Sequence, residues 1–238
     1  MPVAVITGAS QGLGLALAHG LADAGWSVVA DARDADRLAV AVGGLPGGPH
    51  LAVPGDVTDS WHRGALAASA ADLGGADLLV NNASTLGFET GGASPLPRLA
   101  DLDPSTYART LEVNVVAPVA LAGLLLPQLR ERRGRIVSVT SDASVEAYET
   151  WGGYGSAKAA LDHATRVLAA EEPQLRVYAV DPGDLRTAMH QAAFPGEDIS
   201  DRPEPATVVP HLMALVSGQL PSGRYRAADL TPVTAVRA

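Results

Sequence analysis

The stretch TGASQGLG, residues 7–14, places Gly8, Gly12 and Gly14 directly after VAVIT, a short apolar run at residues 3–7. A glycine-rich turn between a strand and a helix lets backbone N–H groups come close to a pyrophosphate. The G-x-x-x-G-x-G spacing differs from the common G-x-G-x-x-G fingerprint, and a tight turn without a ligand is the simpler alternative. The strand-turn-helix order nevertheless favours a dinucleotide-binding turn.

Segments typical of strands and helices alternate along the rest of the chain. Several apolar runs are continuous, which indicates strands covered on both faces. Repeated β-α-β units of this kind predict an α/β fold with a doubly wound parallel sheet of about seven strands in a three-layer sandwich. We expect strands within 3–7, 27–31, 50–59, 76–83, 134–141, 175–183 and 222–230. We expect helices at 11–24, 34–42, 105–130, 154–170 and 206–217, and one more that is capped by Thr58 or Ser60.

Length and composition limit the class of protein. The chain has 238 residues, of which 47% are hydrophobic, and this fits one large α/β domain over 1–238. It contains no cysteine, which excludes disulfides and cysteine-based metal or redox chemistry. The net charge is −9, and we therefore expect no nucleic-acid partner. RERRGR at 130–135 is interpreted as a solvated helix end.

Two observations bear on location. The N-terminal MPVAVITGAS lacks a basic stretch followed by a long apolar run, so it predicts a first strand and not a signal peptide. The most apolar long stretch, residues 113–129, is interrupted by Asn114, Pro118 and Pro127, and it is shorter than a membrane-spanning helix needs. We expect a cytoplasmic protein without membrane contact. The six histidines show no metal spacing, and no metal is expected.

Lys158 is the only lysine among seventeen basic residues, and it lies four residues after Tyr154 in YGSAK, residues 154–158. This spacing puts both side chains on one face of a helix. A free tyrosine has a pKa of about 10, and a nearby ammonium lowers that pKa. Such a tyrosine can exchange a proton with a carbonyl or alcohol oxygen. An exposed helix pair is the alternative, but a lone lysine in an arginine-rich chain indicates lysine chemistry.

Taken together, the motifs resemble the short-chain dehydrogenase/reductase family. The glycine turn, NNA at 81–83, Asn114 in a long helix, the interval from Ser141 to Tyr154 and DPG at 181–183 occur in the family's order. The resemblance covers residues 3 to about 190. It implies a Rossmann-type fold and an oxidoreductase that interconverts a ketone or aldehyde and an alcohol by hydride transfer.

The resemblance also implies a catalytic set. Ser141 matches the serine that hydrogen-bonds the substrate oxygen, and Tyr154 matches the general acid/base. Lys158 would hold the nicotinamide ribose and lower the tyrosine pKa. Asn114 matches the asparagine whose backbone helps to hold a water that links the lysine to solvent. Three nearby hydroxyls remain alternatives for the serine: Ser138, Thr140 and Ser144.

For the cofactor, the resemblance places contacts at the glycine turn, the adenine, the ribose and the nicotinamide. Two residues depart from the family pattern: Ser84 stands where glycine is usual, and Asp181 where asparagine is common. Neither departure removes a catalytic group, although both alter the rim of the pocket. The implied cofactor-binding residues are Gly8, Ser10, Gln11, Gly12, Leu13, Gly14, Arg33, Asp56, Val57, Asn82, Ala83, Tyr154, Lys158, Pro182, Gly183 and Thr187.

The choice between NADP(H) and NAD(H) depends on the end of the second strand, VVADARD. An acidic residue there binds the 2′-hydroxyl of NAD, whereas an arginine accommodates the 2′-phosphate of NADP. Asp31 falls one position early, Ala32 takes the usual acidic position, and Arg33 follows. We interpret Arg33 as a phosphate clamp and favour NADP(H). A solvated Arg33 with Asp31 serving NAD(H) is the alternative.

The sequence indicates the substrate end only by position. Residues 184–205 lack clear periodicity and are predicted to form a substrate lid. We expect a small carbonyl or alcohol substrate, and the resemblance implies a homodimer or homotetramer. Two other functions remain alternatives: a dinucleotide-binding regulator without turnover, and a non-redox dehydratase or cyclase on the same fold. The expected substrate-binding residues are Ser141, Tyr148, Trp151, Tyr154 and Met189.

Overall fold

The computed structural model describes residues 1–87 and 96–233. Within this part, seven parallel strands form one sheet in the order β3-β2-β1-β4-β5-β6-β7. The order reverses between β1 and β4, and in open α/β sheets ligands bind at the carboxyl ends of the strands beside such a reversal. The strands are β1 (Val3–Ile6), β2 (Ser27–Ala32), β3 (Leu51–Pro54), β4 (Leu78–Asn81), β5 (Arg135–Val139), β6 (Arg176–Asp181) and β7 (Gly223–Arg226).

Helices cover both faces of the sheet. Helices α4 and α5 are joined by a π-helical turn, Glu112–Val116, and form one continuous helix, Pro104–Arg132. The predicted doubly wound, three-layer α/β fold is confirmed. The helices are α1 (Gly12–Asp23), α2 (Ala35–Gly43), α3 (Ser60–Asp72), α4 (Pro104–Leu111), α5 (Ala117–Arg132), α6 (Gly152–Glu171), α7 (Ala188–Ala193) and α8 (Pro205–Ser217).

Two apolar layers hold the helices to the sheet. On one face, α1 and α8 pack against strand residues such as Ala4 and Ile6. On the other face, α3 and α5 pack against Val3 and Val5. Neighbouring residues of β1 thus point to opposite layers, and both layers are apolar. This explains why the central strands are continuous apolar runs rather than alternating ones.

One local prediction was wrong. The N-cap of α3 is Asp59, not Thr58 or Ser60, and its carboxylate accepts a 2.9 Å hydrogen bond from the N–H of Trp61. A carboxylate caps the helix end well because the N-terminal N–H groups have no partner inside the helix. Residues 184–205 also contain a helix, α7, whose six residues are too few to give a clear periodic pattern.

Some predictions fall on residues outside the described ranges. Residues 88–95 and the last residues of the chain, 234–238, belong to the predicted domain but lie outside the described ranges. The prediction of a single domain over 1–238 therefore stays a prediction. Within the described residues, the seven strands belong to one sheet, and two apolar layers cover its faces.

The helix Pro104–Arg132 has 29 residues and is long and apolar enough to cross a membrane. The expectation that this region is too short was wrong, because the helix extends beyond the apolar run at both ends. Its α5 part packs Leu121, Leu125 and Leu129 into the layer that covers the sheet. A helix that is buried in this way is common in the core of a globular domain.

Candidate active site

The glycine turn lies at the carboxyl end of β1, where the strand order reverses. Gly8 and Gly12 have φ angles of 67° and 56°, a conformation that favours glycine. A Cβ on Gly14 would lie 2.4 Å from the carbonyl oxygen of Gly8 and 2.5 Å from Nδ2 of Asn82. The turn therefore requires glycine at all three positions. Its backbone leads directly into the N-terminus of α1, where N–H groups are free to bind an anion.

Asn82 and Thr7 hold the turn in place. Nδ2 of Asn82 donates to the carbonyl oxygens of Thr7 at 2.9 Å and of Gly8 at 3.1 Å. The Thr7 hydroxyl oxygen accepts from the N–H groups of Asn82 and Ala83, both at 3.0 Å. Asn82 lines the cleft as predicted, and its amide also fixes the shape of the turn.

Asp31 is buried behind the turn with 2% of its surface exposed. One carboxylate oxygen accepts from the N–H of Gly8 at 3.3 Å, and the other lies 3.0 Å from Nε2 of His62. Both oxygens are thus engaged by the protein. The alternative of Asp31 as the ribose ligand of NAD(H) requires it to leave these partners.

Arginines occupy the rim just beyond β2. Arg33 is exposed and lines the cleft. Arg37, one helical turn further along, donates a 2.6 Å hydrogen bond to Oε1 of Gln11 in the glycine turn. The sequence analysis did not identify Arg37, although its spacing from Arg33 was a usable signal. Arg37 also lies 3.8 Å from the Asp34 carboxylate, so the edge beside the turn carries two arginines and one carboxylate.

Asp56 and Val57 line the cleft beyond β3, and their predicted contact with the adenine stays a prediction. The Asp56 carboxylate accepts from the N–H of Thr58 at 2.9 Å, from its hydroxyl at 2.8 Å and from Arg109 at 2.6 Å. Burial alone raises the pKa of Asp56, but these hydrogen bonds outweigh it and lower the pKa overall. Arg109 reaches this site from α4, and no motif in the sequence indicated its presence there.

Tyr154 and Lys158 lie one turn apart near the start of α6, and both are buried. The Lys158 ammonium lies 5.5 Å from the centre of the Tyr154 ring. It donates a 2.8 Å hydrogen bond to the carbonyl oxygen of Val139, at the end of β5. The exposed helix pair that was the alternative is therefore excluded.

The predicted lowering of the tyrosine pKa by the lysine does not appear in the structure. Burial raises the pKa of Tyr154 well above its usual value, and the charges of Asp142 and Asp181 add to this. The hydroxyls of Ser141 and Ser84 act in the opposite direction but do not outweigh burial. Burial also lowers the pKa of Lys158 to about 7. Removal from water disfavours both charged forms, the phenolate of Tyr154 and the ammonium of Lys158. This cost of burial is larger than the attraction between the two charges.

Ser141 lies on the same wall of the cleft as Tyr154. Its hydroxyl donates to the Asp142 carboxylate at 2.9 Å. Of the three alternatives, Ser138 and Ser144 do not line the cleft. Ser144 instead donates to the carbonyl oxygen of Ser141 at 2.7 Å. Thr140 does line the cleft, but its hydroxyl oxygen is buried.

Asn114 lies in the π-helical turn and is fully buried. Its Oδ1 accepts from the N–H of Thr85 at 2.9 Å and from the Ser84 hydroxyl at 3.1 Å. Its Nδ2 donates to the carbonyl oxygen of Thr85 at 2.8 Å. The side chain thus holds the segment after β4, while the predicted water-holding role of its backbone stays a prediction. Such π turns occur frequently at functional sites.

The far end of the cleft is formed by β6 and the segment after it. Gly183 follows Pro182 with a φ angle of 77°. Thr187 is the N-cap of α7, and a Cβ placed on Gly12 would lie 3.5 Å from its methyl group. The predicted lid therefore reaches back to the glycine turn.

A cluster of aromatic side chains lines the substrate end of the cleft. The Trp151 ring lies 5.7 Å from that of Tyr154 and 5.8 Å from that of Phe194, measured between centroids. His190 lies 4.9 Å from Phe194. Met189 also lines this end. The aromatic side chains connect the lid to the residues around Tyr154.

All of these features border one cleft with a volume of about 1330 Å³. It is lined by every residue that the sequence analysis assigned to cofactor or substrate except Gly14, which lies in the turn itself. Asn114 lies behind the cleft wall. The cleft fits a nicotinamide dinucleotide in an extended conformation. It has open backbone at the glycine turn, arginines at one end and a buried tyrosine-lysine pair at the other.

The comparison with known families agrees with this geometry. A family model described as short chain dehydrogenase matches residues 2–198. The chain belongs to the short-chain dehydrogenase/reductase family. This short-chain dehydrogenase/reductase is thus an NAD(P)-binding oxidoreductase with a Rossmann fold.

Individual relatives are similar over most of this short-chain dehydrogenase/reductase. It is 34% identical over 190 residues to 7alpha-hydroxysteroid dehydrogenase of Escherichia coli K12, a match that covers 77% of this chain and 71% of the relative. It is 36% identical over 138 residues to an uncharacterized oxidoreductase of Saccharomyces cerevisiae, covering 58% of this chain and about half, 52%, of the relative.

Solved structures share the fold almost completely. A short chain dehydrogenase of Shigella flexneri 2a strain 301, complexed with NADP, superposes with a TM-score of 0.86 at 26% identity. That match covers 95% of this chain and 97% of the Shigella chain.

Three residues at this dehydrogenase site were missed by the sequence analysis: Arg37, Arg109 and Asp142. Asp142 directly follows Ser141, and this adjacency was a usable signal. Among residues 1–87 and 96–233, no group of three histidine, aspartate or glutamate side chains could hold a metal ion.

Proposed function

We propose that this dehydrogenase is an NADP(H)-dependent enzyme that interconverts a ketone or aldehyde and an alcohol. One observation carries the proposal: Ser141, Tyr154 and Lys158 line the same cleft, which begins at the glycine turn. A cofactor-binding regulator would have no need for a buried tyrosine-lysine pair next to a serine hydroxyl.

The protein residues would handle the proton and the orientation of the substrate. A bound nicotinamide supplies or takes up the hydride at the carbonyl carbon. In the direction of reduction, the Tyr154 hydroxyl gives its proton to the carbonyl oxygen, while Ser141 fixes the position of that oxygen. The raised pKa of Tyr154 keeps the hydroxyl protonated at neutral pH. The Lys158 pKa of about 7 suits it to return a proton to the tyrosine.

The charges at the adenine end favour NADP(H) over NAD(H). Both carboxylate oxygens of Asp31 are engaged by Gly8 and His62, so a ribose hydroxyl would have to compete with these partners. Arg33 and Arg37 provide positive charge at the rim for a 2′-phosphate, although Arg37 also lies 3.8 Å from the Asp34 carboxylate. The NADP complex of the Shigella flexneri relative supports this choice.

A panel of ketones, aldehydes and alcohols tests the function when it is assayed with both cofactors by reduced-nicotinamide absorbance. We expect carbonyl-dependent oxidation of NADPH, with kcat/KM at least about tenfold above that with NADH. Turnover with NADH that equals or exceeds turnover with NADPH would reject the cofactor assignment. Product formation without net absorbance change would indicate a dehydratase or cyclase.

We further propose that the enzyme is a cytoplasmic homodimer or homotetramer. The outer face of the helix Pro104–Arg132 exposes Val116, Val119 and Leu124, and the outer face of α6 exposes Val167. A second copy of the chain would cover these apolar side chains. Neither a membrane nor nucleic acid is needed to explain them, and a net charge of −9 opposes nucleic-acid binding.

Sedimentation equilibrium at micromolar concentration tests this assembly. We expect the mass of a dimer or tetramer. We expect Val119→Asp to shift the protein towards monomer, while Val40→Asp, at a more exposed valine on α2, does not. A monomeric wild type would reject the proposed assembly.

A further inference from the structure

The reacting end of the cleft carries an uncommon charge. Asp142 directly follows Ser141 and lines the cleft. Its carboxylate accepts from the Ser141 hydroxyl at 2.9 Å, from the N–H of Ala143 at 2.8 Å and from the Tyr148 hydroxyl at 2.9 Å. Three donors fix the position of the carboxylate. A full negative charge is thus held one hydrogen bond away from the serine that would orient the substrate oxygen.

Other carboxylates border the same end, whereas the nearby cations are engaged by the protein. Asp181 and Asp184 line the cleft beside Asp142. Arg186 is hydrogen-bonded to Glu204. His190 lies 3.9 Å from Asp184, and Lys158 donates to the carbonyl oxygen of Val139. Arg224 donates to the Asp162 carboxylate and to the carbonyl oxygen of Ser141, and it lies 3.9 Å from Asp181. Within the described residues, no cation faces Asp142 closely enough to form an ion pair with it.

The uncharged part of this end is aromatic. Trp151 packs against Tyr154 on one side and against Phe194 of the lid on the other. Aromatic faces of this kind pack well against apolar rings. Because these aromatic side chains line the cleft, a carbonyl group carried on a ring system can pack against them, but a carboxylate beside that carbonyl would lie close to Asp142.

We propose that Asp142 makes the active site select uncharged, ring-bearing carbonyl compounds and reject carbonyl compounds that carry a carboxylate next to the reacting group. This substrate class rests on the proposed carbonyl-alcohol activity. The physical reason is repulsion between two like charges in a partly buried cleft, where water screens them less than it would in solution. Asp142 acts as a specificity-determining residue.

Benzoylformate and its ethyl ester test this selection because they share the same ketone and ring and differ in charge. We expect kcat/KM of the wild type to be higher for the ester than for the acid. We expect Asp142→Asn to lower the ratio of these two kcat/KM values, ester to acid, by about tenfold. The two ketones differ in intrinsic reactivity, but this difference is the same for the wild type and the variant. It therefore cancels when the two ratios are compared. Glu146→Gln, which removes a nearby charge outside the cleft, is the matched control and leaves the ratio unchanged.

A second variant guards against misfolding of the first. Asp184 lies at the more exposed side of the cleft. We expect Asp184→Asn to lower the ester-to-acid ratio of kcat/KM as well, but by a smaller factor. A ratio that stays unchanged in both variants, or a wild type that prefers benzoylformate over its ester, would overturn the proposal.

A binding measurement separates this proposal from the proposed function. Quenching of tryptophan fluorescence by benzamide and by benzoate reports occupation of the aromatic end without turnover, and Trp151→Phe identifies the signal. We expect benzamide to bind more tightly than benzoate, and Asp142→Asn to reduce the difference. If this holds while no carbonyl compound is turned over, the charge selection stands and the proposed activity fails. Equal binding of the two ligands would reject the selection.

Discussion

The Lys158 ammonium lies 5.5 Å from the centre of the Tyr154 ring while it donates a 2.8 Å hydrogen bond to the carbonyl oxygen of Val139. This bond ties the lysine to the strand that leads directly to Ser141. The lysine is therefore fixed beside the tyrosine by the end of β5, not by contact with the phenolic oxygen. The three side chains of the proposed proton site are thus held by one strand end and one helix.

The first prediction concerns the ionisation of Tyr154 without cofactor. Because burial raises the pKa of Tyr154, the difference in phenolate absorbance between the wild type and Tyr154→Phe should develop only above pH 10. Tyr107→Phe, which makes the same change outside the cleft, is the control variant. A step near neutral pH would show that the lysine charge outweighs burial.

The second prediction concerns the arginines at the rim. Arg33→Ala and Arg37→Ala should each raise KM for NADPH by about tenfold, because each loses a charge-assisted contact with the 2′-phosphate. KM for NADH should change by less than about twofold. Arg98→Ala, which removes an exposed charge that does not line the cleft, is the control. Equal effects on both cofactors would contradict the assignment of the phosphate site.

The third prediction uses two glycines at helical positions. Gly14→Ala places a Cβ 2.4 Å from the carbonyl oxygen of Gly8, so the glycine turn must shift. We expect at least a tenfold loss of cofactor affinity and a destabilisation of about 1–3 kcal/mol. Gly64→Ala, in α3, meets nothing within 4 Å and should stabilise by about 0.5–1 kcal/mol. Calorimetric titration and thermal unfolding measure both effects, and unchanged cofactor binding in Gly14→Ala would contradict the turn's role.

The fourth prediction concerns a link between β7 and the catalytic serine. Arg224 donates to the buried Asp162 carboxylate at 2.8 Å and to the carbonyl oxygen of Ser141 at 3.1 Å. Arg224→Ala should destabilise by about 2–3 kcal/mol, because Asp162 loses its closest charge partner. It should also lower kcat more than it raises KM for the cofactor. Arg226→Ala, an exposed neighbour in β7, should change stability by less than about 0.5 kcal/mol. Equal stability of the two variants in denaturant unfolding would exclude the link.

Much of the fold follows from the sequence, because buried parallel strands leave continuous apolar runs. Both ends of β1 and β2 lie within one residue of their expected positions. The capping residue of α3 was misassigned, because Asp59, Thr58 and Ser60 are all good caps and backbone geometry selects among them. The short α7 was missed because six residues do not establish a helical period.

The site was predictable wherever its residues form motifs within one short segment. The glycine turn and the Tyr154–Lys158 pair are of this kind. Arg109 was not predictable, because α4 brings it to Asp56 from 53 positions away in the chain. The direction of the pKa shift of Tyr154 was also not predictable from the sequence. The spacing reveals the neighbouring ammonium, but it does not reveal the extent of burial, which decides the direction of the shift.

The most direct test of the account is the rate of NADPH oxidation by Tyr154→Phe with the best carbonyl substrate. The variant lacks only the hydroxyl that would protonate the carbonyl oxygen. We predict that kcat falls by about a thousandfold while Kd for NADPH changes by less than about twofold. Turnover within tenfold of the wild type, with the cofactor still bound, would contradict the central role of this tyrosine.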